Sequence, residues 1–178
     1  MLRIEDQTAV TAIGKFSVRT ETAITKLVIH RTLGTTGREM AKEFEDTRKF
    51  MGGWYTGGKT PYHFFVRADG TIDQCLPLLW VGPAALPRLN RCGIHIALGG
   101  NFSKESPTAL QMSATIDLCV LLQNVFKDEL EIRGHTEYPG ASSDPEKACP
   151  GAHLDMENLR MVVTQKLAML DAGILRWR

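Results

Sequence analysis

Short β-rich segments alternate with amphipathic helical segments along most of this chain, and this alternation constrains its fold more than any other feature. Residues 26–30 are β-branched and apolar, which is typical of a buried strand. Apolar residues recur at helical spacing in residues 38–51, and a wider apolar stripe predicts a long helix over residues 107–127. Strands interleaved with helices favour an α/β domain, so we predict a mixed central β-sheet flanked by helices.

The remaining elements follow from the same patterns. Aromatic and β-branched residues on both sides of the turn signal Ala68-Asp69-Gly70 predict a hairpin. Two further strands and a final helix are predicted at residues 92–98, 131–135 and 154–170. Residues 1–25 mix threonine, alanine and charged residues, and we expect them to form an N-terminal arm lying on a domain of residues 26–178.

The composition excludes some classes of function. The chain has 178 residues, enough for one domain, and its net charge of +1 is too small for a surface built to bind nucleic acid or coat a membrane. Its apolar runs are short and interrupted, so we expect no transmembrane helix. The first ten residues contain Arg3, Glu5 and Asp6 and no apolar segment, so we predict no secretory signal.

Three residues are candidate metal ligands. His30 and His135 each lie at the end of a predicted strand, and Cys149 lies in a polar loop rich in proline, glycine and serine. The other cysteines lie in or beside apolar stretches and are expected to be small buried side chains: Cys75, Cys92 and Cys119. Two imidazoles and a thiolate suit zinc, and three protein ligands leave a fourth position open, as in catalytic sites. The alternative is a structural histidine pair and an unrelated thiol.

Five segments, taken in order, resemble the type 2 N-acetylmuramoyl-L-alanine amidases, a family whose fold is shared by phage lysozyme-type amidases and peptidoglycan recognition proteins. They are residues 27–32 (LVIHRT), 61–72 (PYHFFVRADGTI), 93–102 (GIHIALGGNF), 133–135 (RGH) and 144–151 (DPEKACPG). The blocks YHF-x4-DGTI and GH…K-x-CPG are together quite specific. The resemblance implies that one zinc ion is held by His30, His135 and Cys149.

The resemblance also assigns two catalytic residues. Tyr62 matches the active-site tyrosine of the family and Lys147 its active-site lysine. Both side chains are suited to stabilising the negative oxygen that develops when the amide is attacked. Without the family, Tyr62 would be expected to pack and Lys147 to be solvated. His63 alternates with Tyr62 and is expected to face the other side of its strand. His153 is expected to be structural, near the start of the last helix.

The sequence departs from the family pattern at two places. Many members carry a histidine before the central strand, whereas residues 81–86 here contain none. The central strand of some recycling amidases contains a catalytic glutamate, and His95 stands at that position here. A histidine can act as a base near neutral pH, so His95 is a possible additional catalytic residue. A histidine hydrogen-bonded within the core is the equal alternative.

The resemblance predicts an enzyme that hydrolyses the amide between N-acetylmuramic acid and L-alanine in bacterial peptidoglycan, either a phage endolysin-like protein or an effector. We expect a monomer, made in the cytoplasm, that reaches the cell wall through a holin or a secretion machine. One alternative is a non-catalytic peptidoglycan-binding module, but members that only bind commonly lack the zinc cysteine. Another is a cytoplasmic amidase that recycles anhydro-muropeptides, whose relatives typically have aspartate in place of Cys149.

Overall fold

The two longest strands, β2 (Lys26–Thr32) and β5 (Gly93–Gly99), lie side by side in parallel at the centre of the sheet. Their apolar residues are almost fully buried, which explains why both segments are continuous apolar runs in the sequence. The computed structural model describes residues 2–12, 14–50, 60–126, 130–140 and 148–176. In those ranges the other strands are β1 (Ile4–Asp6), β3 (Phe64–Val66), β4 (Ile72–Gln74) and β6 (Glu131–Gly134).

The sheet is mixed, with the strand order β1-β4-β3-β5-β2-β6. Strands β3 and β4 are antiparallel, as the hairpin signal predicts, and the other neighbouring pairs are parallel. The α-helices of the described residues are α1 (Thr8–Thr11), α2 (Gly37–Phe50), α3 (Pro87–Cys92), α4 (Ala109–Phe126) and α5 (Met156–Asp171). The predicted α/β fold is therefore confirmed.

The two faces of the sheet differ in chemistry. One face packs with α4 and α5 into a large apolar core that contains Leu27, Ile29, Ile94 and Ile96. Helix α4 is long and apolar enough to cross a membrane by length and composition, and half of it is buried in this core, which accounts for its apolar composition. The opposite face has smaller apolar clusters and carries His30 and His95 between them.

One short strand and two short α-helices were not predicted from the sequence. Strand β1 pairs with β4 at one edge of the sheet, so the N-terminal arm supplies a strand. Helices α1 and α3 have only 4 and 6 residues, too few for a periodic apolar pattern to emerge. Strand β2 also continues two residues past His30, because the register with β5 extends to Thr32 opposite Gly99.

Candidate metal centre

The structure brings three of the predicted site residues together. His30 projects from β2, His135 begins the 3-10 helix that directly follows β6, and Cys149 lies in the loop before α5. One ligand atom from each side chain lies within 4.8 Å of the other two. The ring centroids of His30 and His135 are 4.8 Å apart. Strands β2 and β6 are parallel neighbours, so their carboxyl ends bring the two histidines to the same edge of the sheet.

The geometry of this group fits zinc. Nδ1 of His30 lies 3.7 Å from Sγ of Cys149. Tetrahedral zinc, with bonds of about 2.0–2.1 Å to nitrogen and about 2.3 Å to sulfur, separates such ligand atoms by about 3.6 Å. His30 is buried, at 1% exposure, whereas His135 and Cys149 are half-buried. The group therefore has one candidate ligand in the core and two candidate ligands that are half-buried.

Two neighbours hold the Cys149 loop against the strands. The carbonyl of Cys149 accepts hydrogen bonds from the amide and the hydroxyl of Thr136, each at 2.9 Å. Nε of Arg31 donates to the carbonyl of Ala148 at 3.2 Å. Thr136 follows His135 and Arg31 follows His30, so each histidine has a sequence neighbour that fixes the loop carrying the thiol.

Two glycines allow the loop to come this close. A Cβ on Gly134 would lie 2.7 Å from Cδ of Pro150, and a Cβ on Gly151 would lie 2.5 Å from the backbone carbon of Phe102. Gly151 also has a φ of +116°, in the region that favours glycine. Steric crowding therefore explains why glycine occupies positions 134 and 151. The family sequence blocks alone do not reveal this explanation.

Burial shifts the pKa values of all three groups, which favours metal binding by the two histidines and opposes it for the thiol. It lowers the pKa of His30 well below its usual value and also lowers the pKa of His135, so both imidazoles are neutral and can ligate a cation. Burial raises the pKa of the Cys149 thiol, and Arg31 opposes this rise. A cation beside Cys149 would instead favour the thiolate.

The two predicted catalytic residues differ in what the structure shows. The ring of Tyr62 lies 5.0 Å from the ring of His30, centroid to centroid, and the side chain is partly exposed. A small cavity of about 140 Å³ is lined by Tyr62 together with Thr32, Met40, Glu43, Phe44 and Pro61. Lys147 lies outside the described residues, so its assignment continues to depend on the sequence resemblance.

A line of buried polar groups extends inward from His30. Nε2 of His30 lies 3.0 Å from Nδ1 of His95, and the backbone amide of His95 donates to Nδ1 of His63 at 3.0 Å. Beyond them, the guanidinium of Arg19 donates to the carbonyls of Leu78, Asn90 and Gly93. Burial lowers the pKa of His63 to about 3, and the positive charge of Arg19 adds to this effect.

The position of His63 corrects the sequence interpretation. Strand alternation predicted that His63 would face away from the site, but its ring stacks on that of His95 with centroids 5.8 Å apart. Strand β3 begins only at Phe64, so the alternation rule does not apply to the two residues before it. Arg19, also missed, lies in the N-terminal arm and has no local sequence signal that marks a buried cation. The exposed His153 donates its backbone amide to Phe102 and is not part of the group.

The family profile of the N-acetylmuramoyl-L-alanine amidases matches residues 20–152, most of the chain. The chain belongs to this amidase family. No curated protein sequence matches it. Among solved structures, the endolysin amidase LysCS of Clostridium intestinale is 25% identical, with a TM-score of 0.71 over 92% of this chain and 97% of LysCS.

More distant structures share the fold. The Ph2119 endolysin of a Thermus scotoductus bacteriophage is 21% identical, with a TM-score of 0.69 over 93% of this chain and 99% of the endolysin. Drosophila PGRP-LB, solved in complex with tracheal cytotoxin, is 20% identical, with a TM-score of 0.63 over 87% of this chain and 92% of PGRP-LB. The amidase fold is therefore common to endolysins and peptidoglycan recognition proteins.

Proposed function

We propose that this amidase hydrolyses the amide between N-acetylmuramic acid and L-alanine in peptidoglycan, and that it depends on zinc. The observation that carries the proposal is the convergence of His30, His135 and Cys149 at an edge of the sheet that is partly open to solvent. Family membership and the likeness to LysCS support the reaction. When bound, zinc would lower the pKa of a water molecule and polarise the scissile carbonyl.

The residues of the proposed site would have two roles, holding the metal and stabilising the developing charge. His30, His135 and Cys149 would hold the ion, and the Thr136 and Arg31 contacts keep the thiol in place. The hydroxyl of Tyr62, beside His30, would donate to the oxygen that gains negative charge at the attacked carbon. The ammonium of Lys147 would stabilise the same charge, as the resemblance implies.

The substrate is expected to lie beside this group rather than in a larger space elsewhere. A cavity of about 630 Å³ lies between α4, α5 and β6, but its lining contains none of the three ligands. Cavities of about 140 and 330 Å³ instead lie next to Tyr62 and at the carboxyl ends of β2 and β5. The carboxyl ends of parallel strands are a common place for ligands in α/β sheets.

The reaction can be tested on purified sacculi. Mass spectrometry of the digest should show new free L-alanine amino termini on intact stem peptides. Release of the sugar chains without these termini would contradict the amidase assignment. Tight binding to sacculi without any cleavage would instead favour a non-catalytic module, the alternative suggested by the likeness to peptidoglycan recognition proteins.

Zinc dependence has its own test, with a matched pair of cysteine variants. Elemental analysis should find about one zinc per wild-type chain and strongly reduced zinc in Cys149→Ala. Cys92→Ala should retain its zinc, because Cys92 is also a free, partly exposed cysteine, but its thiol donates to carbonyls of its own helix and it is not part of the His30, His135 and Cys149 group. Equal zinc in the two variants would overturn the ligand assignment.

A further inference from the structure

One buried residue on β5 is polar where its neighbours are apolar. His95 is fully buried between Ile94 and Ile96, and within the described residues its Nε2 atom has no hydrogen-bond partner. A leucine here would bury no polar side-chain atom of its own, and burying a polar atom without a partner costs free energy. Packing alone therefore does not account for a histidine at this position. His95 also lies behind His30 and is closed to solvent, which separates it from a substrate at the surface.

The contact between His95 and His30 determines which nitrogen carries a proton. A neutral imidazole has one donor and one acceptor nitrogen. Nδ1 of His30 faces Sγ of Cys149 at 3.7 Å, so this nitrogen needs a free lone pair to ligate a metal or to accept from the thiol. The proton of His30 then lies on Nε2, which is 3.0 Å from Nδ1 of His95.

His95 is itself held by the backbone and side chain of His63. The His95 amide donates to Nδ1 of His63, and the His95 carbonyl accepts from the amide of His63 at 2.9 Å. Because Nδ1 of His63 accepts, the neutral ring carries its proton on Nε2, which lies 2.8 Å from the carbonyl of Trp80 and 3.1 Å from the guanidinium of Arg19. Just before β3 begins, the His63 imidazole thus accepts the hydrogen bond that a backbone carbonyl of a neighbouring strand would otherwise accept. This contact holds the backbone from which the His95 side chain projects.

We propose that His95 is a positioning residue: its Nδ1 accepts the Nε2–H of His30 and so fixes the tautomer and ring orientation that present His30 Nδ1 to the metal. The partner of a ligating histidine is usually a carboxylate, a carbonyl or water, and loss of that partner typically weakens metal binding. The proposal rests on the proposed zinc site. It replaces the catalytic role considered for His95 with an indirect one.

The first test compares zinc affinity among variants on β5 by competition with a chromophoric chelator. In His95→Asn, the amide oxygen can stand near the position of Nδ1, so zinc affinity should remain close to that of wild type. His95→Leu lacks an acceptor and should bind zinc about 10–100-fold more weakly. Ile96→Val is the control, since Ile96 packs on the opposite face and a change there perturbs the core without touching His30. Wild-type zinc affinity in His95→Leu would overturn the proposal.

The second test reads the hydrogen bond directly and needs neither metal nor a variant. In the metal-free wild-type protein, ¹⁵N NMR should show the His30 proton on Nε2 and a coupling across the hydrogen bond to Nδ1 of His95. A proton on Nδ1 of His30 would overturn the proposal, even if His95→Leu does not fold. A wild-type protein that binds no zinc but shows this coupling would refute the proposed zinc site while supporting the contact.

Discussion

Tyr62 and the proposed ligands are next to one another, but their expected contributions are separable. His30 belongs to the metal group, whereas the Tyr62 ring lies beside His30 and lines the adjoining cavity. A group that stabilises charge in the transition state can be removed without loss of the metal. A ligand cannot.

At this residue scale we predict that Tyr62→Phe keeps its zinc but loses about two to three orders of magnitude in kcat, the usual effect of removing one such donor. The measurements are elemental zinc and the rate of L-alanine exposure on sacculi. Tyr138→Phe is the matched control, because Tyr138 is buried on α3 and β2 and its hydroxyl has no hydrogen-bond partner within the described residues. Activity of Tyr62→Phe within a few-fold of wild type would show that Tyr62 packs in the structure and does not stabilise the transition state.

Lys147→Ala is expected to behave like Tyr62→Phe, with zinc retained and kcat lowered by a similar factor. The basis is the position of Lys147 two residues before Cys149 in the family block. The same two measurements apply. Loss of zinc together with activity would show that Lys147 supports the ligand loop rather than the developing charge.

At the scale of elements, a buried carboxylate joins the hairpin to α2. Asp73 on β4 is fully buried, and its side chain accepts hydrogen bonds from Arg67 and from the amide of Gly37 at the start of α2. Arg67 also pairs with Glu5 on β1. Asp73 and Arg67 together thus connect α2, the hairpin and the edge strand β1.

We predict that Asp73→Ala lowers the free energy of unfolding by at least about 2 kcal/mol, because it leaves a buried amide unsatisfied and a partly buried cation with fewer partners. Urea unfolding followed by circular dichroism measures the change. Asp46→Ala is the control, since its pair with Lys42 is exposed and such pairs contribute roughly 0–1 kcal/mol. A change in Asp73→Ala no larger than in the control would refute the structural role.

For the whole molecule, the buried histidines make stability depend on pH. The pKa of His63 is lowered to about 3 by burial and by Arg19, against about 6.5 in an unfolded chain. Between these values the unfolded state binds a proton that the folded state does not, so stability is complete above pH 6.5 and falls as the pH falls toward 3.

We therefore predict that the metal-free protein loses about 2 kcal/mol of unfolding free energy between pH 7.5 and pH 5 from His63 alone. The pKa values of His30 and His95 are lowered in the same direction by burial and add to the loss. Unfolded carboxyl groups titrate near pH 4 and contribute little in this range. Urea unfolding in chelator at pH 7.5, 6.5 and 5 measures the effect, and equal stability at the three values would contradict it.

The place of action also belongs to the whole molecule. We propose that the protein acts on cell-wall peptidoglycan after release from the cytoplasm. Expression in the cytoplasm of a Gram-negative host should then be harmless, and the same chain with an added Sec signal should cause lysis, measured as loss of culture turbidity. The exported His135→Ala variant should not lyse cells. A fall in soluble anhydro-muropeptides without lysis on export would instead identify a recycling amidase.

The sequence alone determined the fold class and the ligand candidates. Apolar periodicity predicts β2, β5, α4 and α5, because each segment is long enough to show the pattern of the surface it buries. The ligand candidates could be found because a cysteine in a polar loop and histidines at strand ends are unusual and match family blocks. His30 and Cys149 are separated by more than a hundred residues, yet the order of the family blocks was sufficient to assign both to one site.

Only the tertiary structure decided what surrounds the ligand candidates. Arg19, His63 and His95 come from three distant segments. His63 and His95 meet because β3 and β5 are parallel neighbours, and Arg19 reaches them from the N-terminal arm through its contacts with His63 and the Gly93 carbonyl. No local pattern records such a meeting, since sequence periodicity reports which face a residue occupies but not which side chain from another element lies opposite. For the same reason, the sequence offered both a catalytic role and a hydrogen-bonded core role for His95, and its distance to His30 and complete burial favour the core role, on which the proposed positioning role rests.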